Sequence, residues 1–91
     1  MKTSNQFSLT SAPHWKVYTN FANDIDLVAE GGSPCRRIRI NAASDGALAL
    51  ADAGGTARDA IPNNNAGDFH DVIASKILAN GTTVTSVTVF W

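Results

Sequence analysis

The sequence predicts an all-β fold: a small antiparallel β-sandwich or jelly-roll-like module, residues 14–91, behind a flexible N-terminal arm, residues 1–13. Three observations lead there. Large apolar residues step by two in Trp15/Val17, Ile25/Leu27 and Ile38/Ile40, the period of a strand with one covered face. Glycine-bearing breaks recur at Gly31-Gly32-Ser33-Pro34, Ser44-Asp45-Gly46, Gly54-Gly55 and Asn80-Gly81. The run Thr82–Trp91 is rich in Thr, Val and aromatics, which suit a pleated surface. At 91 residues and 9.6 kDa there is room for one core.

The arm is polar and Ser/Thr-rich through Pro13, with Phe7 and Leu9 as isolated anchors. It is expected to be loose alone and to order against a neighbour. Trp15/Val17 and Ile25/Leu27 then form short strands around a turn at Asn20–Asn23. From Arg37 the chain alternates, with Ile38 and Ile40 on one face and Arg37, Arg39 and Asn41 on the other. A three-residue loop at Ser44-Asp45-Gly46, with Gly46 left-handed in a bulge, would pair Ile40 with Leu50 and Ala42 with Leu48. That register keeps the large apolar groups on one face; a two-residue loop, pairing Ile40 with Ala51, does not. A hairpin at Gly54-Gly55 would set Asp52 opposite Arg58 and Leu50 opposite Ala60. Ile61-Pro62 ends this run, and Asn63–Asp68 reads as a loop.

The stretch Phe69–Ala79 is open between strand and short helix. Its apolar spacing is near-helical, yet Asn80-Gly81 is a strong hairpin signal that would pair Ala79 with Thr82 and Ile77 with Val84. A hairpin is the preferred reading, with a helical turn near Phe69–Ile73 as the alternative. Val84 lies on one parity of the last strand, while Val87, Val89 and Trp91 lie on the other. Either a bulge near Thr85-Ser86 shifts the register or both faces are partly covered.

Seven basic and eight acidic residues give a net charge of −1, with no global field to concentrate nucleic acid or anionic lipid. No run approaches the roughly 18 apolar residues of a membrane span, and Met1–Gln6 lacks a secretory apolar stretch. No nucleic acid, no membrane and cytoplasmic synthesis are therefore expected. One cysteine, Cys35, excludes an intrachain disulfide. Charged residues are 16% of the chain, below the usual ~25%, and a covering subunit is the expected reason.

Chemistry finds little support. Asp68 and His70 could share an ion on a strand, but two ligands do not make a site, and a solvated loop edge is the plainer reading. Arginines could activate the Cys35 thiol, but a lone cysteine at a strand start is more often a small buried group. No nucleophile elbow or phosphate loop is present, so no enzyme and no cofactor are expected. The candidate interface residues are instead Trp15, Tyr18, Phe21, Phe90 and Trp91 with Arg37 and Arg39.

Cys35-Arg36-Arg37-Ile38-Arg39-Ile40, the Leu48/Leu50 strand and the ending Ala74–Thr83 followed by Thr/Val residues and Phe90-Trp91 make residues 34–91 resemble small virion proteins of tailed bacteriophages and gene transfer agents. The likeness is to head-spike base and capsid-decoration proteins. It departs at Ile61–Gly67, where that group carries a Val-Pro-Ala-Gly type loop. It implies a non-catalytic subunit of the virion that self-associates as a trimer or pentamer and sits on the major capsid protein or another virion protein. The alternative is a carbohydrate-binding module of a fibre or spike, with Trp15, Tyr18 or Trp91 stacked on a host surface glycan.

Overall fold

The computed structural model describes residues 14–91; the arm at 1–13, with Phe7 and Leu9, lies outside the described residues. The described chain is all-β, built from β1 (Trp15–Tyr18), β2 (Ile25–Asp26), β3 (Arg37–Ala42), β4 (Gly46–Leu48), β5 (Leu50–Asp52), β6 (Ile61–Asn64), β7 (Phe69–His70), β8 (Ala74–Ile77) and β9 (Ser86–Phe90). One short helix, α1 (Leu27–Gly31), follows β2. The strands form a four-stranded sheet in the order β1-β9-β3-β7, a three-stranded sheet β2-β8-β5, and a pair β4-β6, with every pairing antiparallel.

Period-two alternation explains the core. Ile38 and Ile40 on β3 and Val87 and Val89 on β9 are fully buried and meet Leu50, Ala74 and Ile77 of the second sheet in one cluster. Burial of this apolar area stabilises the fold at roughly 25 cal/mol per Å². Leu27, Leu48, Val84 and Trp91 close the cluster.

Several local expectations change. Ile25 is in a strand, but Leu27 opens α1: the Asp26 carboxylate accepts from the Val28 and Ala29 amides at 3.1 and 3.2 Å, and Gly32, at φ 85°, ends the helix. The Ile40–Leu50 hairpin does not form, because β3 pairs with β9 and β7 while β5 pairs with β8. Asp45, not Gly46, takes the left-handed φ of 50°. At Gly46 space is tight for another reason, since a Cβ there would lie 3.0 Å from Val84 Cγ1 and 3.2 Å from the Val84 amide nitrogen. The Gly54-Gly55 turn is present, but shifted: Ala51 bridges Ala57, while Asp52 still meets Arg58 through an ion pair of 2.8 Å.

Ile61-Pro62 begins β6 rather than ending a run, and Asn64 is buried beside β4. Phe69–Ala79 holds β7 and β8, with no helical turn at Phe69–Ile73. Asn80-Gly81 turns the chain but does not make a hairpin. Ile77 pairs with Leu50 and Ile25, and the next segment crosses to the other sheet past Ala47–Ala49, where the Thr83 amide donates to Ala47 at 2.8 Å. The last strand consequently starts at Ser86. A bend at Thr85 reverses the parity, and an irregularity between Ile40 and Ala42 lies opposite it. The extra residue of that irregularity is Asn41 on β3, so no bulge forms in the last strand itself; instead both of its faces are partly covered, with Thr88 buried and Ser86 and Phe90 half-buried opposite Val87 and Val89.

Candidate interaction face

The register of the four-stranded sheet brings distant residues onto its outer face. Trp15, Phe90 and Arg37 lie in one row, and Val17, Thr88, Arg39 and Phe69 in the next. Alternation puts all of these opposite the buried Ile38, Ile40, Val87 and Val89. Trp15 is 65% exposed, Val17 54% and Phe69 52%, and Phe90 is half-buried.

Polar contacts fix the arginines. Arg37 Nε donates to Asp71 Oδ1 at 2.5 Å, and this bond holds the Asp71 carboxyl below its ordinary value. Arg37 and Arg39 both lean over the Phe69 ring, at 5.3 and 5.8 Å from its centroid. Arg39 Nη1 donates to Asn41 Oδ1 at 2.6 Å, and the Asn41 amide donates onward to Thr88 Oγ1 at 2.8 Å. Trp15 and Phe90 pack with centroids 6.5 Å apart. The face is thus an aromatic and guanidinium surface with its side chains held in place, the composition typical of protein interfaces.

Four expected interface residues converge here: Trp15, Arg37, Arg39 and Phe90. Tyr18 points to the other face, where its hydroxyl donates to Glu30 Oε1 at 2.9 Å beside Lys16 at 2.6 Å. Burial, then the Glu30 bond, raises its phenol well above the ordinary value. Phe21 is half-buried against the core. Trp91 is 3% exposed: its indole N–H donates to the Leu27 carbonyl at 2.9 Å and its ring stacks on His14 at 5.0 Å. Its cover comes from this chain, so the surface role expected of Trp91 is corrected. Val17 and Phe69 complete the face. Val17 shares the parity of Trp15, but Phe69 joins through a pairing with Arg39 thirty residues away, for which no local signal exists.

The Asp68–Asp71 cluster is taken up internally. Asp68 Oδ2 accepts from the Asn65 amide at 2.8 Å, His70 Nε2 meets Asn64 Oδ1 at 2.5 Å, and Asp71 holds Arg37. No group of three metal-ligating side chains gathers among the described residues. Cys35 is fully buried with its thiol raised by burial. A cleft of about 320 Å³ lies between Leu50, Ile61, Val72 and Ile73, rimmed by Asp52 and Arg58. Compared with protein-family models, curated proteins and solved structures, the chain matches none. No helix among the described residues is long and apolar enough to cross a membrane.

Proposed function

We propose that the chain is a structural subunit that self-associates and decorates a phage-type particle, acting through contact and without catalysis. One observation carries the assembly part: Trp15, Val17 and Phe69 stand exposed on the same sheet face as Arg37 and Arg39, while the opposite face is a filled core. Isolated exposed apolar residues are ordinary, but three on one small sheet face support the reading of an interaction surface. The resemblance of residues 34–91 to small virion proteins supplies the particle part.

The test is the solution mass of the full chain by light scattering after gel filtration. A defined multiple of the 9.6 kDa chain mass is expected, and a monomer at high micromolar concentration would overturn self-association. Trp15, exposed and tilted against Phe90, also favours a second reading as a sugar-stacking platform. Glycan-array binding that disappears in Trp15→Ala would move that reading ahead.

A further inference from the structure

We infer that copies of this chain join head to tail through the two edges of the four-stranded sheet, β1 of one copy adding beside β7 of the next to continue a single antiparallel sheet. This rests on the self-association reading above and specifies its geometry.

The hydrogen-bond phase of the sheet identifies the free edge groups. The Trp91 amide donates to the His14 carbonyl at 3.1 Å, so His14, Lys16 and Tyr18 direct their main-chain groups at β9. The N–H and C=O of Trp15 and Val17 therefore face outward from the sheet. At the other edge, the Ile40 amide donates to the Asp68 carbonyl at 2.8 Å, so Asp68 and His70 face β3. Phe69 and Asp71 turn theirs outward. No described residue pairs with these four.

The edges match in direction and side chain. Strand directions alternate across β1-β9-β3-β7, so an added β1 beside β7 is antiparallel and keeps the same faces. Trp15 and Val17 then come against Phe69 and nearby Ile73, the last 63% exposed, which covers the large apolar groups at both edges. Lys16 of the incoming edge, its ammonium already held by Glu30 of its own chain, comes beside His70. The isologous alternative, two β1 edges together, brings Lys16 towards its own copy and leaves Phe69 and Ile73 uncovered, so it is disfavoured. Short edge strands limit unwanted pairing in most proteins. Here the β1 and β7 edges carry exposed apolar side chains beside their free peptide groups.

Proline at an outward-facing amide removes a donor that the isolated chain does not use. Val17→Pro disables the β1 edge and Phe69→Pro the β7 edge, with circular dichroism checking that each folds. If the inference holds, each variant alone is a monomer. An equimolar mixture gives a heterodimer of twice the chain mass, since one intact edge of each kind remains. In the wild-type assembly, the amides of Trp15, Val17, Phe69 and Asp71 become protected from hydrogen exchange on association, a readout that needs no variant. Loss of assembly in Val17→Pro alone would mean isologous pairing and overturn the inference. A wild-type oligomer insensitive to both prolines, or lacking that protection, would also overturn it while leaving self-association standing. A monomeric wild type would overturn both.

Discussion

Gly31→Ala isolates the contact that anchors Trp91. Alanine should favour the last turn of α1, because it is worth about 1 kcal/mol over glycine in a helix. The φ of Gly31 is not in the left-handed region, so the backbone accepts alanine without strain. Yet a Cβ at Gly31 would fall 2.1 Å from Trp91 Cε2 and Nε1, where carbon contacts settle near roughly 3.5–4.0 Å. The indole is boxed in by Leu27, to whose carbonyl it donates at 2.9 Å, and by His14 on its face. Overpacking costs about 1–3 kcal/mol, and stretching the indole bond adds up to about 1. After the helix gain is subtracted, a net loss of between about 0 and 3 kcal/mol remains.

Urea unfolding followed by tryptophan fluorescence measures the loss, and a melting temperature lower by roughly 4–8 °C per kcal/mol should accompany it. The same substitution in a Trp91→Ala background separates the two effects. That background is itself less stable by about 3–5 kcal/mol, but with the ring gone Gly31→Ala should become neutral or stabilising by up to about 1 kcal/mol. A stabilised Gly31→Ala single variant, or an equal effect in both backgrounds, would refute the packing argument.

Three further outcomes follow from individual groups. Asn64 is 1% exposed, donates to the Gly46 and Ile61 carbonyls and meets His70, so Asn64→Ala should cost about 2–4 kcal/mol in urea unfolding. Glu30, Asp52 and Asp71 are all lowered from their ordinary values of 4.5, 3.8 and 3.8: Glu30 first by the Lys16 bond, Asp52 first by the Thr56 amide and Asp71 first by Arg37. Each contributes stability that is present above its unfolded-state value and is lost as pH falls through its lower folded-state value. Stability should therefore decline with acidification from about pH 4.5 downward, and Glu30→Gln should flatten the upper part of that slope. Cys35, fully buried with a raised thiol, should react with a disulfide reagent at least roughly 100-fold more slowly in the native state than in denaturant.

The β1, β3 and β9 alternations were legible because each strand has one buried face, and that alone writes a period of two. The partners were not. Ile38 and Ile40 look like one arm of a hairpin with Leu48 and Leu50, but the core contains side chains of both sheets, so equal burial does not imply the same sheet. Asn80-Gly81 misleads for a related reason: its turn is local, whereas the fate of the chain beyond it depends on Ala47–Ala49, more than thirty residues earlier. The arginine half of the interaction face was readable from Arg37 and Arg39 alternating against Ile38 and Ile40. Phe69 was not, because β7 is two residues long and its side chain acquires neighbours only through the pairing with β3.

Topology also bears on the edge-to-edge assembly proposed above. Among the described residues β1 has one strand partner, β9, and β9 sits between β1 and β3 although it is the last described strand. Without β9, Trp15 and Val17 are not held in register with Phe90 and Thr88, and no edge exists for another copy to recognise. Among the described strands β7 pairs with β3 alone, so its edge does not rest on β9 directly. A sheet made of such long-range pairings folds slowly, because the loop-closure entropy is spent before the contacts form. Pairing of β9 with β1 and β3 both orders the β1 edge and brings Val87 and Val89 into the core cluster with Ile38 and Ile40. If copies join edge to edge as proposed, a chain that lacks the β9 pairings therefore lacks one of the two edges needed to join a neighbour.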